Sequence, residues 1–200
     1  MAEMLPVMES FYTLQGEGFH QGMASYFIRL GGCDVGCVWC DVKESWPVDA
    51  HPKRTIQELL QEVTASGSPN VVITGGEPGM HDLRPLTEAL QAAGKEVWIE
   101  TAGTNVLQGS FDWICVSPKK FKAVLPENLA LAHELKVIVY NKNDFKWAES
   151  HRNHVSDDCL LYLQPEWSRE REMLPLIVEY VKKHPAWRIS LQSHKYMRIP

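Results

Sequence analysis

The chain has 200 residues, 44% of them hydrophobic, with a formal net charge of −5 at pH 7 and a sequence pI of about 5.9. This length suits one domain with a single core, and the acidic balance gives no general attraction to nucleic acid. The N-terminus lacks a basic segment followed by an apolar run, and no stretch approaches the roughly 18 apolar residues of a membrane span. We therefore expect a cytoplasmic protein that binds neither membrane nor nucleic acid.

Strands and helices alternate along the chain. In chain order, the pattern predicts strand 24–30, helix 55–66, strand 70–74, helix 82–94, strands 96–100, 111–117 and 133–140, helix 144–152, strand 159–164, helix 168–184 and strand 187–192. This alternation is typical of an α/β fold, with a mostly parallel sheet and helices packed on it. We expect residues 1–200 to form one domain.

Chemically reactive residues follow six of the predicted strands. These stretches are 33–40, 74–79, 100–103, 117–120, 164–167 and 192–195. In parallel α/β folds, ligand sites form at the carboxyl ends of the strands. The sequence therefore predicts one composite active site on one rim of the sheet.

The segment 31–46 holds three of the five cysteines in the spacing Cys33-x3-Cys37-x2-Cys40. Three thiolates this close can reach one metal centre. A [4Fe–4S] cluster usually takes four cysteines, so three would leave one iron open for a reactant. The alternative is structural zinc, which requires a fourth ligand. Its candidates are Cys115, Cys159 and His51, although both additional cysteines lie in apolar strands, where free cysteine is commonly a core residue.

The cysteine spacing, with Trp39 before the last cysteine, resembles the radical S-adenosylmethionine superfamily. "GGEP" (75–78) resembles the second element of that superfamily, whose backbone binds the amino group of S-adenosylmethionine. Together, in this order and on consecutive strand ends, the two motifs indicate a reactive cluster.

Further stretches resemble one family within that superfamily, the 7-carboxy-7-deazaguanine synthases. They are "TLQGEG" (13–18), "FIRLGGC" (27–33), "CDVKESW" (40–46), "VVITGGEP" (71–78), "IETAG" (99–103), "VSPK" (116–119), "LQP" (163–165) and "SLQSHKYMRIP" (190–200). The resemblance implies a modified, shortened partial (β/α)6 barrel of the TIM type that acts as a homodimer. It also implies conversion of 6-carboxy-5,6,7,8-tetrahydropterin to 7-carboxy-7-deazaguanine and ammonia, on the route to queuosine and related 7-deazapurines.

The resemblance also implies two sets of binding residues. Contacts to S-adenosylmethionine are expected from Trp39, Gly75, Gly76, Glu77, Glu100, Ser117, Lys119, Gln164, Pro165, Glu166 and Trp167. Contacts to the substrate are expected from Leu14, Gln15, Gly16, Glu17, Arg29, Thr74, Gln192, His194 and Pro200. The last three of these residues belong to the C-terminal tail 190–200. Chemically, Arg29 can bind a carboxylate with two parallel hydrogen bonds, and Glu17 can accept from amino and ring N–H groups.

Magnesium is the third cofactor that the resemblance implies, and here the sequence departs from the family. The family pattern commonly has threonine after Cys-Asp, and its hydroxyl helps to bind Mg²⁺. This chain has Val42, which carries no side-chain oxygen. Mg²⁺ prefers octahedral oxygen ligands and keeps several waters, so substrate oxygens and water, with Asp41 or Ser45, would have to supply the site.

The resemblance further implies an external low-potential electron donor of the flavodoxin or ferredoxin class.

Two alternative functions stay open at this point. A glycyl-radical activase shares the cysteine spacing but does not need Glu17 and Arg29 ahead of the cluster. A non-enzymatic metal-binding module would need a fourth ligand and would not bind S-adenosylmethionine.

Overall fold

The computed structural model of the chain describes residues 3–200, in which nine strands form one sheet. The strands are β1 (Met4–Leu14), β2 (Ala24–Leu30), β3 (Lys53–Thr55), β4 (Asn70–Gly75), β5 (Glu96–Thr101), β6 (Trp113–Val116), β7 (Glu134–Val139), β8 (Leu160–Pro165) and β9 (Trp187–Ile189). The α-helices are α1 (Ile56–Ser66), α2 (Arg84–Ala92), α3 (Pro126–Ala130), α4 (Asn143–Arg152), α5 (Glu170–Lys183) and α6 (Ser193–Met197). In this described part, no helix is both long and apolar enough to cross a membrane.

The sheet is mostly parallel, as predicted. Its strand order is β3-β1-β2-β4-β5-β6-β7-β8-β9. All neighbouring pairs from β2 to β9 are parallel, whereas β1 is antiparallel to both β2 and β3. Some of the connections between strands contain a short helix or none. For example, α3 between β6 and β7 has only five residues. The expectation of a modified, shortened barrel with a mostly parallel sheet is confirmed.

Two differences from the predicted elements concern the ends of the chain. The sequence pattern did not predict β1 or β3, because β1 mixes apolar and polar residues and lacks a strict alternation. The last strand ends at Ile189 rather than at residue 192. There the backbone leaves β8, and the Ser193 amide donates to the Gly16 carbonyl at 2.9 Å. The tail is thereby joined to the loop that follows β1.

The two faces of the parallel strands have different roles. Successive side chains of a strand point to opposite faces. Ile28, Ile73 and Ile99 are fully buried in the main apolar core, and they are paired in register across β2, β4 and β5. The neighbouring residues Arg29 and Thr74 are also paired in register and line cavities on the opposite face. The alternation therefore separates an apolar core from a polar inner face.

Aromatic stacking holds the loop that follows β1 against this inner face. Phe19 stacks on Trp113 with ring centroids 4.9 Å apart, and His20 stacks on Trp98 at 3.8 Å. The Phe19 amide donates to the Glu134 carboxylate at 3.1 Å. These contacts place the preceding residues of the loop at the rim of the barrel.

Helix α1 begins with a capping box, which gives a test of the fold. The Thr55 hydroxyl accepts from the Glu58 amide at 3.2 Å, and the Glu58 carboxylate accepts from the Thr55 amide at 2.7 Å. We expect Thr55→Ala to lower the free energy of unfolding by about 1 kcal/mol, because an amide at the helix start loses its partner. Urea denaturation of the wild type and the variant measures this difference. Thr64→Ala in the same helix is the matched control and should have little effect, so equal losses would contradict the prediction.

Candidate active site

Two adjoining cavities lie at the carboxyl ends of the parallel strands. The cysteine cavity, of about 230 Å³, is lined by Cys33, Cys37 and Cys40 among others. The tail cavity, of about 520 Å³, reaches the C-terminal residue Pro200. The two cavities share seven lining residues, which are Glu17, Arg29, Asp41, Val42, Thr74, Glu100 and Gln192. The single composite site predicted from the strand ends is therefore present as two connected compartments.

The three thiols of the cysteine segment are brought together beside the sheet. They belong to a small cluster separate from the main core, formed by Cys33, Val35, Cys37, Trp39, Cys40 and Ala102. Burial raises the pKa of the Cys33 thiol and raises that of Cys37 to about 11. Cysteine binds metals as the thiolate, and burial disfavours that negative charge. A bound metal centre would compensate the charge at this position.

The two other cysteines are not part of this cluster. Cys115 lies in β6 and is buried in the sheet, and Cys159 directly precedes β8 and belongs to the main core. The third candidate for a zinc ligand, His51, has its Nε2 atom 2.8 Å from the Glu44 carbonyl oxygen. None of the three joins the thiols, so their arrangement fits a three-cysteine cluster better than a closed tetrahedral zinc site.

A close backbone approach joins the "GGEP" loop to the cysteine segment. A Cβ atom added to Gly76 would lie 2.3 Å from the Gly32 carbonyl oxygen and 2.7 Å from the Cys33 Cβ atom. The Glu77 amide donates to the same Gly32 carbonyl at 2.8 Å. Only glycine fits at position 76 without moving one of the loops, so the two motifs form one packed unit.

Glu77 itself lines neither cavity. Its carboxylate is buried, and it accepts from the Thr101 hydroxyl, from the Gly79 amide at 2.9 Å and from the Ala102 amide at 2.7 Å. Burial raises the pKa of this carboxyl despite these hydrogen bonds. The side chain therefore ties the "GGEP" loop to the end of β5, and a contact to S-adenosylmethionine would have to come from the backbone.

The other residues predicted to contact S-adenosylmethionine all line the cysteine cavity. They are Trp39, Gly75, Gly76, Glu100, Ser117, Lys119, Gln164, Pro165, Glu166 and Trp167. The Lys119 ammonium donates to the carbonyl and the hydroxyl oxygens of Ser117, both at 2.6 Å, while burial lowers its pKa. These groups come from five different strand ends, those of β2, β4, β5, β6 and β8, as expected for a site on the rim of a parallel sheet.

The residues predicted to contact the substrate line the tail cavity. They are Leu14, Gln15, Gly16, Glu17, Arg29, Thr74, Gln192, His194 and Pro200. The Arg29 guanidinium is paired with Glu9 on the neighbouring strand β1 at 2.7 Å. A guanidinium has five N–H donors, so this pair leaves donors available toward the cavity.

A buried lysine that the sequence analysis missed lies where the two cavities meet. Lys136 of β7 is 2% exposed, and its Nζ atom is 2.7 Å from Glu17 Oε2 and 2.9 Å from Glu100 Oε2. Gln15 completes a ring, because its side chain donates to Glu100 at 3.3 Å and accepts from the Glu17 amide at 3.1 Å. The available signal was the two charged residues Glu134 and Lys136 in the otherwise apolar strand β7, because buried charged residues are almost always paired.

This network determines the protonation state of Glu17. Burial by itself would raise the pKa of the Glu17 carboxyl, but the Lys136 ammonium and a hydrogen bond from Gln192 lower it to about 2. The Gln192 amide donates to Glu17 Oε1 at 2.8 Å. Glu17 is therefore an ionised acceptor near neutral pH.

The three residues predicted near magnesium do not form a cation site. Asp41 is paired with Lys195 at 2.7 Å, and the Ser45 hydroxyl donates to the Val42 carbonyl at 2.7 Å. Val42 lines both cavities with an apolar side chain. Among residues 3–200, no group of three or more His, Cys, Asp or Glu side chains converges on a single metal ion. This includes the three thiols, which in a [4Fe–4S] cluster would each bind a different iron.

Comparison with known proteins agrees with this geometry. Residues 27–125 match the model of the radical SAM superfamily. The chain is 52% identical to a 7-carboxy-7-deazaguanine synthase from Flavobacterium psychrophilum, over 99% of this chain and 94% of that protein. It is 48% identical to one from Synechocystis sp., over 97% and 93%. The crystal structure of QueE from Escherichia coli matches with a TM-score of 0.87 at 34% identity, covering 96% of this chain and 95% of that one.

The fold and the three-cysteine site thus define a radical SAM enzyme, for which a [4Fe–4S] cluster and S-adenosylmethionine are the implied cofactors. Within that superfamily, the chain belongs to the 7-carboxy-7-deazaguanine synthase family.

The position of the thiols gives a test of cluster binding. We expect Cys33→Ala, Cys37→Ala and Cys40→Ala each to lose the [4Fe–4S] cluster, because a cluster already short of one protein ligand would lose another. Iron and sulfide content and the visible absorption of anaerobically reconstituted protein measure this loss. Cys159→Ala is the control and should keep the cluster. A full cluster in Cys37→Ala would contradict the assignment.

The buried ammonium gives a test by pH. We expect Lys136→Met to be less stable than the wild type by about 3 kcal/mol at neutral pH, since an unpaired charge is left in the interior. Without the ammonium, burial raises the pKa of Glu17 above its unfolded value. The variant should therefore lose stability as pH rises from about 5 to about 8. In the folded wild type the pKa of Glu17 lies far below this range, so Glu17 adds no such pH dependence there. Urea denaturation across this range measures the difference, and Lys182→Met, in an exposed pair, is the control. A constant difference at all pH values would contradict the prediction.

Proposed function

We propose that this enzyme converts 6-carboxy-5,6,7,8-tetrahydropterin to 7-carboxy-7-deazaguanine and ammonia by a radical ring contraction, in the biosynthesis of queuosine and related 7-deazapurines. The observation that carries the proposal is the 52% identity over 99% of the chain to a protein named for that product. The two adjoining cavities support it, because one suits a cluster with its cosubstrate and the other suits a small polar substrate.

Cys33, Cys37 and Cys40 would hold the cluster, and Gly76 would leave room for the backbone to approach it. When both are bound, the cluster and S-adenosylmethionine supply one-electron chemistry that breaks an unactivated C–H bond. The lining residues Val35, Ala102 and Ile138 would exclude water from that bond.

The groups around the cysteine cavity match the polar parts of S-adenosylmethionine. The Lys119 ammonium and the Ser117 hydroxyl would bind its carboxylate and ribose, and Glu100 would accept hydrogen bonds from its hydroxyl or amino groups. The backbone of Trp39 would contact the adenine, with the ring as a cover. That ring is in edge contact with Phe121 at a centroid distance of 6.0 Å. The segment 164–167 would bind the remaining surface.

The tail cavity would bind the pterin through complementary charges. Glu17 is ionised and can accept from the amino and ring N–H groups of a guanine-like edge. Arg29 and the α-carboxylate of Pro200 line the same cavity at different places. Arg29 would bind the substrate carboxylate, and Gln192 and His194 would align the ring. This arrangement gives each polar edge of the substrate a partner of the matching kind.

Magnesium fits this chain less well than the other cofactors. Val42 offers no oxygen, Ser45 has its hydroxyl directed to a backbone carbonyl, and Asp41 is paired with an ammonium group. No step of the reaction is therefore assigned to a protein-bound Mg²⁺. An ion that enters with the substrate would be held by substrate oxygens and water.

Three further properties complete the proposal. An external low-potential protein of the flavodoxin or ferredoxin class would reduce the cluster, and the enzyme would act as a homodimer, as the family resemblance implies. Residues 1–200 would form a single radical SAM core domain, of which residues 1 and 2 lie outside the described part. Neither alternative function is favoured by a specific observation. Glu17 and Arg29 line the site, and among residues 3–200 no fourth zinc ligand joins the thiols.

The proposal is tested by turnover. Anaerobically reconstituted protein with dithionite, S-adenosylmethionine and 6-carboxytetrahydropterin should form 7-carboxy-7-deazaguanine, detected by mass spectrometry. Formation of 5′-deoxyadenosine without this product would overturn the substrate assignment and leave the radical SAM class intact.

The same assay tests the magnesium site. We expect the wild-type rate to change less than about twofold between added Mg²⁺ and a metal chelator, because the protein offers no complete set of hard oxygen ligands. Val42→Thr adds a hydroxyl oxygen at this position and should increase the response to Mg²⁺. A wild-type rate that falls at least about tenfold with the chelator would show that substrate oxygens and Asp41 suffice.

A further inference from the structure

Lys136 contacts one carboxylate from each functional half of the site. Glu17 belongs to the residues proposed to bind the pterin, and Glu100 to those proposed to bind S-adenosylmethionine. The ammonium lies within 2.9 Å of both. Both carboxylates line both cavities, whereas Lys136 lines only the cysteine cavity. The Lys136 side chain is 3% exposed, against 18% for Glu17 and 22% for Glu100, so the carboxylates present more of their surface to ligands than the ammonium does.

The hydrogen bonds of the two carboxylates leave acceptor positions for ligands. Glu17 receives one hydrogen bond on each oxygen, from Lys136 and from Gln192, and Glu100 receives one on each, from Lys136 and from Gln15. A carboxylate offers about four acceptor positions. Each of the two retains capacity toward the cavities, while its orientation is determined by groups from other elements.

The ammonium also connects elements that are distant in the chain. Lys136 lies on β7, Glu100 on β5, and Glu17 in the loop after β1, which Gln192 of the tail contacts as well. Because a buried ammonium is unfavourable without its counter-charges, a shift of either carboxylate changes the environment of the other. Cys115, Glu134, Lys119 and His194 are also close enough to interact electrostatically with this ammonium.

We propose that Lys136 is a positioning residue that couples the two halves of the site. It holds Glu17 and Glu100 on one ammonium group, so that binding of the N–H edge of the pterin at Glu17 and binding of S-adenosylmethionine at Glu100 depend on each other. This inference rests on the proposed function and adds to it a residue that acts through the two carboxylates it contacts. Because coupling between two binding sites is reciprocal, each ligand should tighten the binding of the other by the same factor.

The test measures binding without turnover. Cluster-loaded protein, kept anaerobic and without reductant, is dialysed to equilibrium against 6-carboxytetrahydropterin with and without S-adenosylmethionine. In the wild type, S-adenosylmethionine should lower the Kd of the pterin. In Lys136→Met this effect should disappear, and the Kd of the pterin should rise by about tenfold or more, as expected when a hydrogen bond to a charged group is disturbed.

A double-mutant cycle separates positioning from general destabilisation. If Lys136 acts through Glu17, the variant that combines Glu17→Gln with Lys136→Met should bind the pterin no more weakly than Glu17→Gln alone. Additive losses would overturn the proposal, because they would mean that Lys136 acts independently of Glu17. Lys182→Met is the control for loss of a lysine charge and should bind as the wild type does.

Three further outcomes of this experiment are distinguished. If Lys136→Met does not retain its cluster, the same cycle is run with Lys136→Gln, which keeps a hydrogen-bond donor without the charge. If the wild type binds the pterin and forms product, but Lys136 variants keep its Kd and its response to S-adenosylmethionine, the coupling fails and the proposed function stands. If the wild type binds no pterin, the proposed function itself is overturned, and this inference with it.

Discussion

The ion pairs of Lys136 with Glu17 and Glu100 are the interaction on which the organisation of the site depends. An ammonium group in the interior is stable only when its counter-charges are present with good geometry. Here they come from β5 and from the loop after β1, and Gln15 closes the ring between them. The site therefore forms only when the parallel strands and the loop that follows β1 are assembled together.

The surrounding structure supports this network from both ends of the chain. On the N-terminal side, stacking of Phe19 and His20 on two tryptophans fixes the loop that carries Glu17. On the C-terminal side, Gln192 donates to Glu17, and Ser193 donates to the Gly16 carbonyl. The tail leaves the sheet early to make these contacts, so the shortening of the last strand has a role in closing the tail cavity.

The predicted site residues show where motif reasoning is sufficient and where it is not. All of them except Glu77 line a cavity. Residues that follow parallel strands directly must meet at one rim. Residues 14–17 instead lie at the end of the antiparallel strand β1, and only the family resemblance indicated them. The direction of the Glu77 side chain depends on the amide groups of Gly79 and Ala102, which only the folded loop provides. Likewise, Asp41 and Ser45 are near the expected position of a cation, but their partners are decided by Lys195 and by the local turn.

The fold class, the three-cysteine motif and most of the strand ends that form the site could be predicted from the sequence. These features depend on local periodicity and on spacings of a few residues, which are readable without knowing which segments meet. The antiparallel strand β1, the end of β9 and the role of Lys136 are visible only in the folded structure. Strand β1 pairs with β2 and also with β3, where Met4 lies opposite Thr55. The end of β9 depends on Gly16, and Lys136 pairs with Glu17, 119 residues away in the chain. No local pattern encodes such a pairing, because it arises when the closed sheet brings a buried charge and its counter-charge together.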